Sequence, residues 1–173
     1  MASLFDGNSF HIIGNFPYNI SSQIIFKALD NLHLVTGLLG MFQKELAERI
    51  VSGPGSKKFG IISVLTQAYY DVELLFYVEP SSFSPPPRVM SSILRFKRKK
   101  ELTLPCNERL FKSVVKQSFS QRRKMLKNTL KSFIKDELIL SQELFSKRPE
   151  ALPLETFFEI TNLIEKLKDD AGK

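Results

Sequence analysis

The sequence predicts an α/β fold followed by a small all-α domain, within 173 residues. A short apolar segment at 10–13 runs through a polar loop into apolar residues at helical spacing, the pattern of a strand, a loop and a helix. Further predicted strands continue to residue 96, whereas the patterns after residue 105 are all helical. Because the basic run Lys97 to Lys100 separates the two parts, we predict domains at 1–100 and 101–173.

Composition excludes several classes of function. Hydrophobic residues make up 43% of the chain, enough to supply a core. The single cysteine, Cys106, excludes a disulfide framework within the chain and offers no metal-ligand spacing, so we expect no metal. Since no signal peptide or long apolar run is present, we expect a cytoplasmic protein without a membrane segment.

The formal net charge of +7 is unevenly distributed. Residues 1–96 carry seven basic and seven acidic side chains, whereas residues 97–135 carry thirteen basic and two acidic ones. Residues 136–173 return to five basic and nine acidic. A concentrated basic segment indicates a polyanion partner, although a solvated surface is the simpler alternative.

The first half of the predicted α/β part follows from apolar spacing. Residues 10–13 predict a buried strand, and Ile24, Ile25 and Ala28 predict a helix at 21–29. The apolar run 34–42 is interrupted by two glycines and suits a second buried strand. A helix is expected at 43–52, closed by a Gly-Pro-Gly turn.

The second half contains one further helix and two strands. We expect a helix at 59–69 that packs on the sheet. A strand at 72–78 is predicted because apolar residues alternate along it, which places on one face Val72, Leu74, Phe76 and Val78. Three consecutive prolines, 85–87, predict a stiff loop before a last strand at about 90–96. That loop can be a rigid connector or a polyproline ligand for another protein.

The predicted helical domain begins with an apolar stripe along 110–119. A second helix at about 122–135 is expected to bury Leu126, Leu130, Phe133 and Ile134. At three- and four-residue spacing, its common outer face would carry Lys124, Lys127, Lys131 and Lys135. Such a row can follow a phosphate backbone. A short helix near 141–145 and a last helix at about 153–168 complete the domain.

The loop after the first strand, Asn15-Phe16-Pro17-Tyr18, is chemically suited to a nucleobase amine. The exocyclic nitrogen of adenine is a poor nucleophile because its lone pair is delocalised into the ring, so a catalyst must hold both of its hydrogens. The Asn15 side-chain oxygen can accept one hydrogen, and we assign the other to the Phe16 carbonyl. Tyr18 can then stack on a base that has left its helical stack.

This loop resembles the catalytic motif of the ribosomal RNA adenine dimethyltransferases, which comprise the KsgA-type enzymes and their erythromycin-resistance relatives. Four further blocks resemble that family in the family's order, at 41–49, 59–67, 83–92 and 119–124. The resemblance implies the C-terminal part of a Rossmann-like S-adenosylmethionine-dependent methyltransferase sheet. It also implies dimethylation of adenines in small-subunit ribosomal RNA during ribosome maturation.

The resemblance also implies roles for individual residues. Catalysis would involve Asn15, Phe16, Pro17 and Tyr18, with Phe83 stacked on the adenine from the face opposite Tyr18. Family position and density of charge imply contact with small-subunit ribosomal RNA, or with the immature small subunit. The residues assigned to this contact are Lys97, Arg98, Lys99, Lys100, Arg122, Arg123, Lys124, Lys127 and Lys131.

The donor site is expected to be incomplete in this chain. The family binds S-adenosylmethionine through a glycine-rich turn after the first strand and an acidic residue after the second, and only fourteen residues precede Asn15. We therefore expect about two thirds of a family member, in which Asn15 is the donor contact that remains. The isolated chain should be inactive or nearly so. The strand before Asn15 should form an exposed apolar edge, prone to aggregation or pairing with another chain.

Three alternatives remain at this point. The chain can belong to the erythromycin-resistance branch, which acts on large-subunit RNA, although the Phe-Pro-Tyr-Asn-Ile-Ser-Ser form and the proline loop favour the KsgA-type branch. It can be a noncatalytic RNA-binding or ribosome-assembly module. Methylation of DNA amines is a less supported alternative, because Phe16 stands where the Asn-Pro-Pro-Tyr-type motif of those enzymes has a proline. The sequence does not predict the oligomeric state.

Overall fold

A computed structural model describes residues 7–121 and 123–171. They divide into two compact units, the first containing 7–51 and 66–102 and the second containing 52–65 with the described part of 103–171. This division differs from a single boundary near residue 100, since 52–65 joins the second unit. Within that unit the Phe59 ring meets Phe119 edge-on at 6.4 Å, and the Gly55 amide donates to the Glu150 carbonyl.

The first unit is built on a four-stranded sheet. Its strands are β1 (Phe10–Asn15), β2 (Val35–Gln43), β3 (Tyr70–Val78) and β4 (Ser91–Arg98), in the spatial order β1-β2-β4-β3. Strands β1 and β2 are parallel, and β4 runs antiparallel to both of its neighbours. Helix α1 (Ser21–Leu29) connects β1 to β2, α2 (Lys44–Val51) follows β2, and α3 (Ile61–Tyr69) leads into β3. The predicted α/β fold class is confirmed.

The two faces of this sheet differ in burial. One face carries the buried side chains of Leu38, Phe42, Leu94 and Phe96. On the opposite face Ile13 is 73% exposed, and its strand alternates half-buried with exposed residues. The prediction of a buried first strand is therefore wrong. Among the described strands β1 lies at the edge of the sheet, which agrees with the expected exposed apolar edge.

Strand β3 does not keep the predicted alternation. Its register with β4 shifts between Leu74 and Phe76, which inserts Leu75 as an extra residue. A one-residue insertion moves every later side chain to the other face. Val72 and Leu74 are half-buried, whereas Phe76 is 56% exposed. The four apolar residues predicted to share one face of this strand therefore do not.

The second unit is helical beyond residue 103. Its helices are α4 (Glu108–Ser118), α5 (Leu126–Thr129), α6 (Glu137–Leu140), α7 (Glu143–Ser146) and α8 (Leu154–Ala171). Asn107 caps α4 by accepting a hydrogen bond from the Leu110 amide. Helices α4 and α8 pack through aromatic rings, with centroids 5.1 Å apart for Phe111 and Phe158. No helix in the described ranges is long and apolar enough to span a membrane.

The prediction of one helix at about 122–135 is wrong. Among the described residues of that range, 123–135, only the four residues of α5 are α-helical, so the lysines predicted to share a helical face do not lie on one. Tertiary hydrogen bonds explain the difference, because the Lys147 carbonyl accepts from the Leu126 amide and the Gln117 side chain donates to the Thr129 carbonyl. The backbone is thus satisfied without a long helix. The short helix expected near 141–145 is present as α7, and the structure adds α6 before it.

Candidate functional site

The loop after β1 lies at the carboxyl end of the parallel pair β1 and β2, the position where open α/β sheets bind ligands. A cavity of about 340 Å³ opens there, within the first unit. It is lined by Asn15, Phe16, Pro17, Tyr18, Met41, Phe83, Pro85 and Pro87. The structure thus brings the five residues predicted to be catalytic to one cavity, together with the proline loop.

Two acceptors at this cavity have no hydrogen-bond partner in the part of the chain that the structure describes. The Asn15 side chain is exposed, and neither its oxygen nor the Phe16 carbonyl receives a hydrogen bond from the described residues. The next carbonyl differs, since that of Pro17 accepts from the Ile20 amide at 3.1 Å and from the Ser21 hydroxyl at 3.0 Å. The loop therefore fixes its backbone through Pro17 and leaves two acceptors available for a ligand.

The Phe16 ring has a structural task that sequence reasoning missed. It lies so close to Gly14 and Gly40 that added Cβ atoms would approach ring carbons to 2.8 Å and 2.2 Å. The ring also contacts Phe42, with centroids 5.6 Å apart. Glycines within strands do signal close approach, but the sequence does not show what approaches them. The ring anchors the loop to the sheet, which leaves the carbonyl as the Phe16 group suited to a ligand.

The aromatic walls of the cavity are held from other elements. The Tyr18 phenol shares a hydrogen bond with the Ser91 hydroxyl, 73 residues later in the chain. Phe83 is half-buried after a 3₁₀ turn at Pro80–Ser82, and its amide donates to the Pro80 carbonyl at 3.2 Å. Sequence reasoning missed Ser91, because a serine at the start of a strand carries no signal of so distant a partner.

The basic run at the end of β4 divides into two pairs. The Arg98 guanidinium donates to the Leu32 carbonyl at 2.5 Å, and the Lys99 ammonium donates to the Gln67 carbonyl at 2.6 Å. Lys97 and Lys100 are exposed. Two of these four predicted RNA contacts therefore already hold backbone carbonyls of the first unit.

In the second unit the predicted RNA contacts are exposed. This holds for Arg123, Lys124, Lys127 and Lys131, whereas Arg122 lies outside the described residues. The Lys131 ammonium is 3.3 Å from the Glu137 carboxylate. Exposed ion pairs of this kind are weak, so the lysine remains accessible to a phosphate.

Two side chains that are not among the cavity residues have a shifted pKa. Burial raises the pKa of Tyr70 to about 12, and the Arg98 charge opposes that rise. Burial, together with the Glu165 carboxylate, raises the pKa of Cys106 to about 11 against the effect of a hydrogen bond with Thr161. Both side chains are therefore neutral at neutral pH and contribute no charge.

The described residues do not by themselves fit S-adenosylmethionine. No carboxylate lies among the residues that line the cavity, so the acidic residue by which the family holds the ribose is not among them. The described ranges also contain no cluster of three or more His, Cys, Asp or Glu side chains able to hold a metal. The cavity as described offers groups for a flat base with an amine.

Comparisons with family models and with named relatives show what this chain is similar to. The family model for ribosomal RNA adenine dimethylase matches residues 2–166. A Phocaeicola vulgatus protein named ribosomal RNA small subunit methyltransferase A is 51% identical over 95% of this chain and 59% of its own length. A Parabacteroides distasonis protein of the same name is also 51% identical, over 99% of this chain and 65% of its own. The chain thus spans about 60% of the length of such relatives.

Solved structures share the fold. A dimethyladenosine transferase from Plasmodium falciparum superposes with a TM-score of 0.78 at 24% identity, covering 90% of this chain and 66% of that one. The 23S rRNA methyltransferase ErmE gives a TM-score of 0.63 at 22% identity, with the same coverage. The predicted Rossmann-like methyltransferase sheet is thereby confirmed, and the chain belongs to the ribosomal RNA adenine dimethylase family.

Proposed function

We propose that this chain supplies the adenine-binding cavity and the RNA-docking surface of an enzyme that dimethylates adenines in small-subunit ribosomal RNA. Family membership supports the reaction class, and relatives about half identical carry the name small subunit methyltransferase A. We further propose that it works in the cytoplasm on the immature small subunit. The large-subunit alternative is less favoured, because ErmE superposes less well than the dimethyladenosine transferase.

The observation that carries the proposal is the pair of unpartnered acceptors beside two aromatic side chains. The Asn15 oxygen would accept one hydrogen of the adenine amine and the Phe16 carbonyl the other. Holding both hydrogens draws the nitrogen toward tetrahedral geometry, so its lone pair is less delocalised into the ring and can form a bond. S-adenosylmethionine, when bound, supplies the methyl group. These two residues therefore act by orienting the amine and exposing its lone pair.

Tyr18 and Phe83 would hold the base itself. Both line the cavity, and Pro85 and Pro87 line it beside them. Stacking on an aromatic side chain contributes about 1–3 kcal/mol per base in single-stranded nucleic acids, which offsets part of the cost of removing the adenine from its stack. The exposed cations of the second unit would bind phosphates and leave base recognition to the cavity.

The test is methyl transfer by a fusion that joins the preceding part of the Phocaeicola vulgatus relative to this chain. Immature small subunits and radiolabelled donor are the substrates. Asn15→Ala should reduce incorporation by about a hundredfold, in the range observed for loss of a transition-state hydrogen-bond partner. Asn19→Ala makes the same change in the same loop outside the cavity and should retain activity. RNA affinity should be equal in both variants.

Unchanged turnover in Asn15→Ala would contradict the role assigned to that side chain. A noncatalytic RNA-binding module is the second candidate, and the exposed cations at 123, 124 and 127, which act without a donor site, favour it. Salt-dependent RNA binding by the unsubstituted fusion without methyl transfer would support that candidate. Incorporation into large subunits alone would support the large-subunit alternative.

A further inference from the structure

Ser91 occupies a fixed point in the first unit. It is the first residue of β4, where it pairs with Gln43 of β2 on one side and with Val78 of β3 on the other. Its exposure is 0%. Pairing on both sides restrains its backbone, and burial removes water as a competing partner. Its hydroxyl is therefore held at a defined position next to the loop after β1.

Tyr18, in contrast, belongs to a turn outside the sheet. Hydrogen bonds to the Pro17 carbonyl hold the turn backbone, but they leave the two side-chain torsions of Tyr18 free. The ring is half-buried at the cavity, with its phenolic oxygen 2.5 Å from the Ser91 Oγ. Within the described ranges, this is the only polar contact of the Tyr18 side chain.

We propose that Ser91 is a positioning residue that fixes the Tyr18 ring as one wall of the adenine cavity. Ser91 does not line the cavity, so it acts through Tyr18 and not on the base. A ring already fixed loses less freedom when the base arrives, which favours the stacked state. This inference rests on the proposed function, since it specifies how one wall of the proposed adenine site is built.

The chain provides a matched control in the next residue. Ser92 is also 0% exposed, and its hydroxyl has no hydrogen-bond partner among the described residues. Ser91→Ala and Ser92→Ala thus each remove one buried hydroxyl, but only the first breaks the bond to Tyr18. Tyr18→Phe removes the same bond from the other side and keeps the ring. The double variant Ser91→Ala/Tyr18→Phe completes a cycle.

The probe is a single-stranded RNA oligonucleotide that contains a single 2-aminopurine, titrated with the 173-residue chain. Stacking on an aromatic ring quenches 2-aminopurine. The base lacks the 6-amino group, so the signal reports stacking and not the Asn15 contact. Ser91→Ala and Tyr18→Phe should each reduce the stacking constant roughly threefold to tenfold, as expected for one hydrogen bond. The double variant should lose no more than either single one.

Ser92→Ala should quench like the unsubstituted chain, and thermal unfolding should be cooperative for both serine variants, with the lower midpoint in Ser91→Ala because it loses a hydrogen bond. Equal quenching by Ser91→Ala and Ser92→Ala would overturn the positioning role while leaving the proposed function intact. Additive losses in the double variant would also overturn it, because Ser91 would then act independently of Tyr18. Absence of quenching by the unsubstituted chain would instead overturn the proposed base sandwich, and the role of Ser91 with it.

Discussion

Gly40→Ala should destabilise the first unit and displace the loop that carries Asn15. An added Cβ at Gly40 would lie 2.2 Å from Cε2 and 2.8 Å from Cδ2 of Phe16. It would also lie 3.1 Å from Cε2 of Phe42, so the added methyl group would be too close to both rings. On its other side the Phe16 ring faces Gly14, where an added Cβ would lie 2.8 Å from Cε1, so the ring can retreat only into the small volume that this glycine leaves open. The strain must therefore move the backbone of the loop.

The magnitude follows from the overlap. Carbon atoms pack best about 3.5–4.0 Å apart, so the Phe16 ring must shift by more than about 1 Å. Overpacking of this kind costs about 1–3 kcal/mol. Replacing glycine by alanine also stabilises the folded chain by about 0.4–1 kcal/mol, because alanine lowers the conformational entropy of the unfolded chain. We expect a net loss of about 1–2 kcal/mol in the free energy of unfolding.

Urea unfolding of the chain measures this loss. Gly53→Ala is the control, because an added Cβ there meets nothing within 4 Å. Gly40→Ala/Phe16→Leu should recover part of the loss, since the smaller side chain makes room for the new methyl group. In the fusion described above, Gly40→Ala should also reduce methyl transfer about a hundredfold, because a displacement of 1 Å costs that much in catalysis. If Gly40→Ala unfolds at the same urea concentration as Gly53→Ala, the packing argument is refuted.

Three further predictions concern other parts of the chain. Tyr70→Phe should cost about 1–2 kcal/mol in urea unfolding, because it leaves the Val35 carbonyl, now 2.9 Å from the Tyr70 hydroxyl, buried without a donor; no loss would contradict this. With its pKa raised from 9.0 to about 11, Cys106 in the folded chain should be alkylated roughly a hundredfold more slowly at pH 8 than in urea, and the rate should rise toward pH 11. Equal rates would refute the shift. Lys124→Ala/Lys127→Ala should weaken binding of single-stranded RNA of any sequence. The slope of log K against log salt concentration should become shallower by about 1.4, and an unchanged slope would exclude both lysines from phosphate contact.

Local patterns were sufficient to predict most of the sheet and the place of the site. The order of strands and helices in the first unit follows from apolar spacing, which depends only on neighbouring residues. The placement of the Asn15 loop at a ligand-binding edge follows from a strand that ends in a polar loop. Phe83, far along the chain, was assigned to the same site only through the family resemblance. The structure places it at the cavity with Asn15.

The features that the sequence did not predict depend on distant partners. The bulge at Leu75 reverses the faces of β3, and no local signal marks it. The predicted helix at about 122–135 is not formed because Gln117 and the Lys147 carbonyl bind its backbone groups. The contacts of Gly40 with Phe16 and of Ser91 with Tyr18 likewise require the register of strands that are far apart in the chain.

Donor binding tests whether the chain contains a working donor site. Calorimetric titration with S-adenosylmethionine should detect binding to the fusion with the relative and none to the 173-residue chain. The expectation rests on the absence of a carboxylate among the residues that line the cavity. Binding by the chain alone would mean that it holds the donor through groups not assigned here.

The central claim is that the loop at Asn15 presents an adenine amine for methylation. Nucleoside mass spectrometry of small-subunit ribosomal RNA, after incubation with the fusion and S-adenosylmethionine, tests it most directly. We predict dimethyladenosine with the unsubstituted fusion and unmodified adenosine with Asn15→Ala. Dimethyladenosine in equal amounts from both proteins, or from neither, would contradict the account.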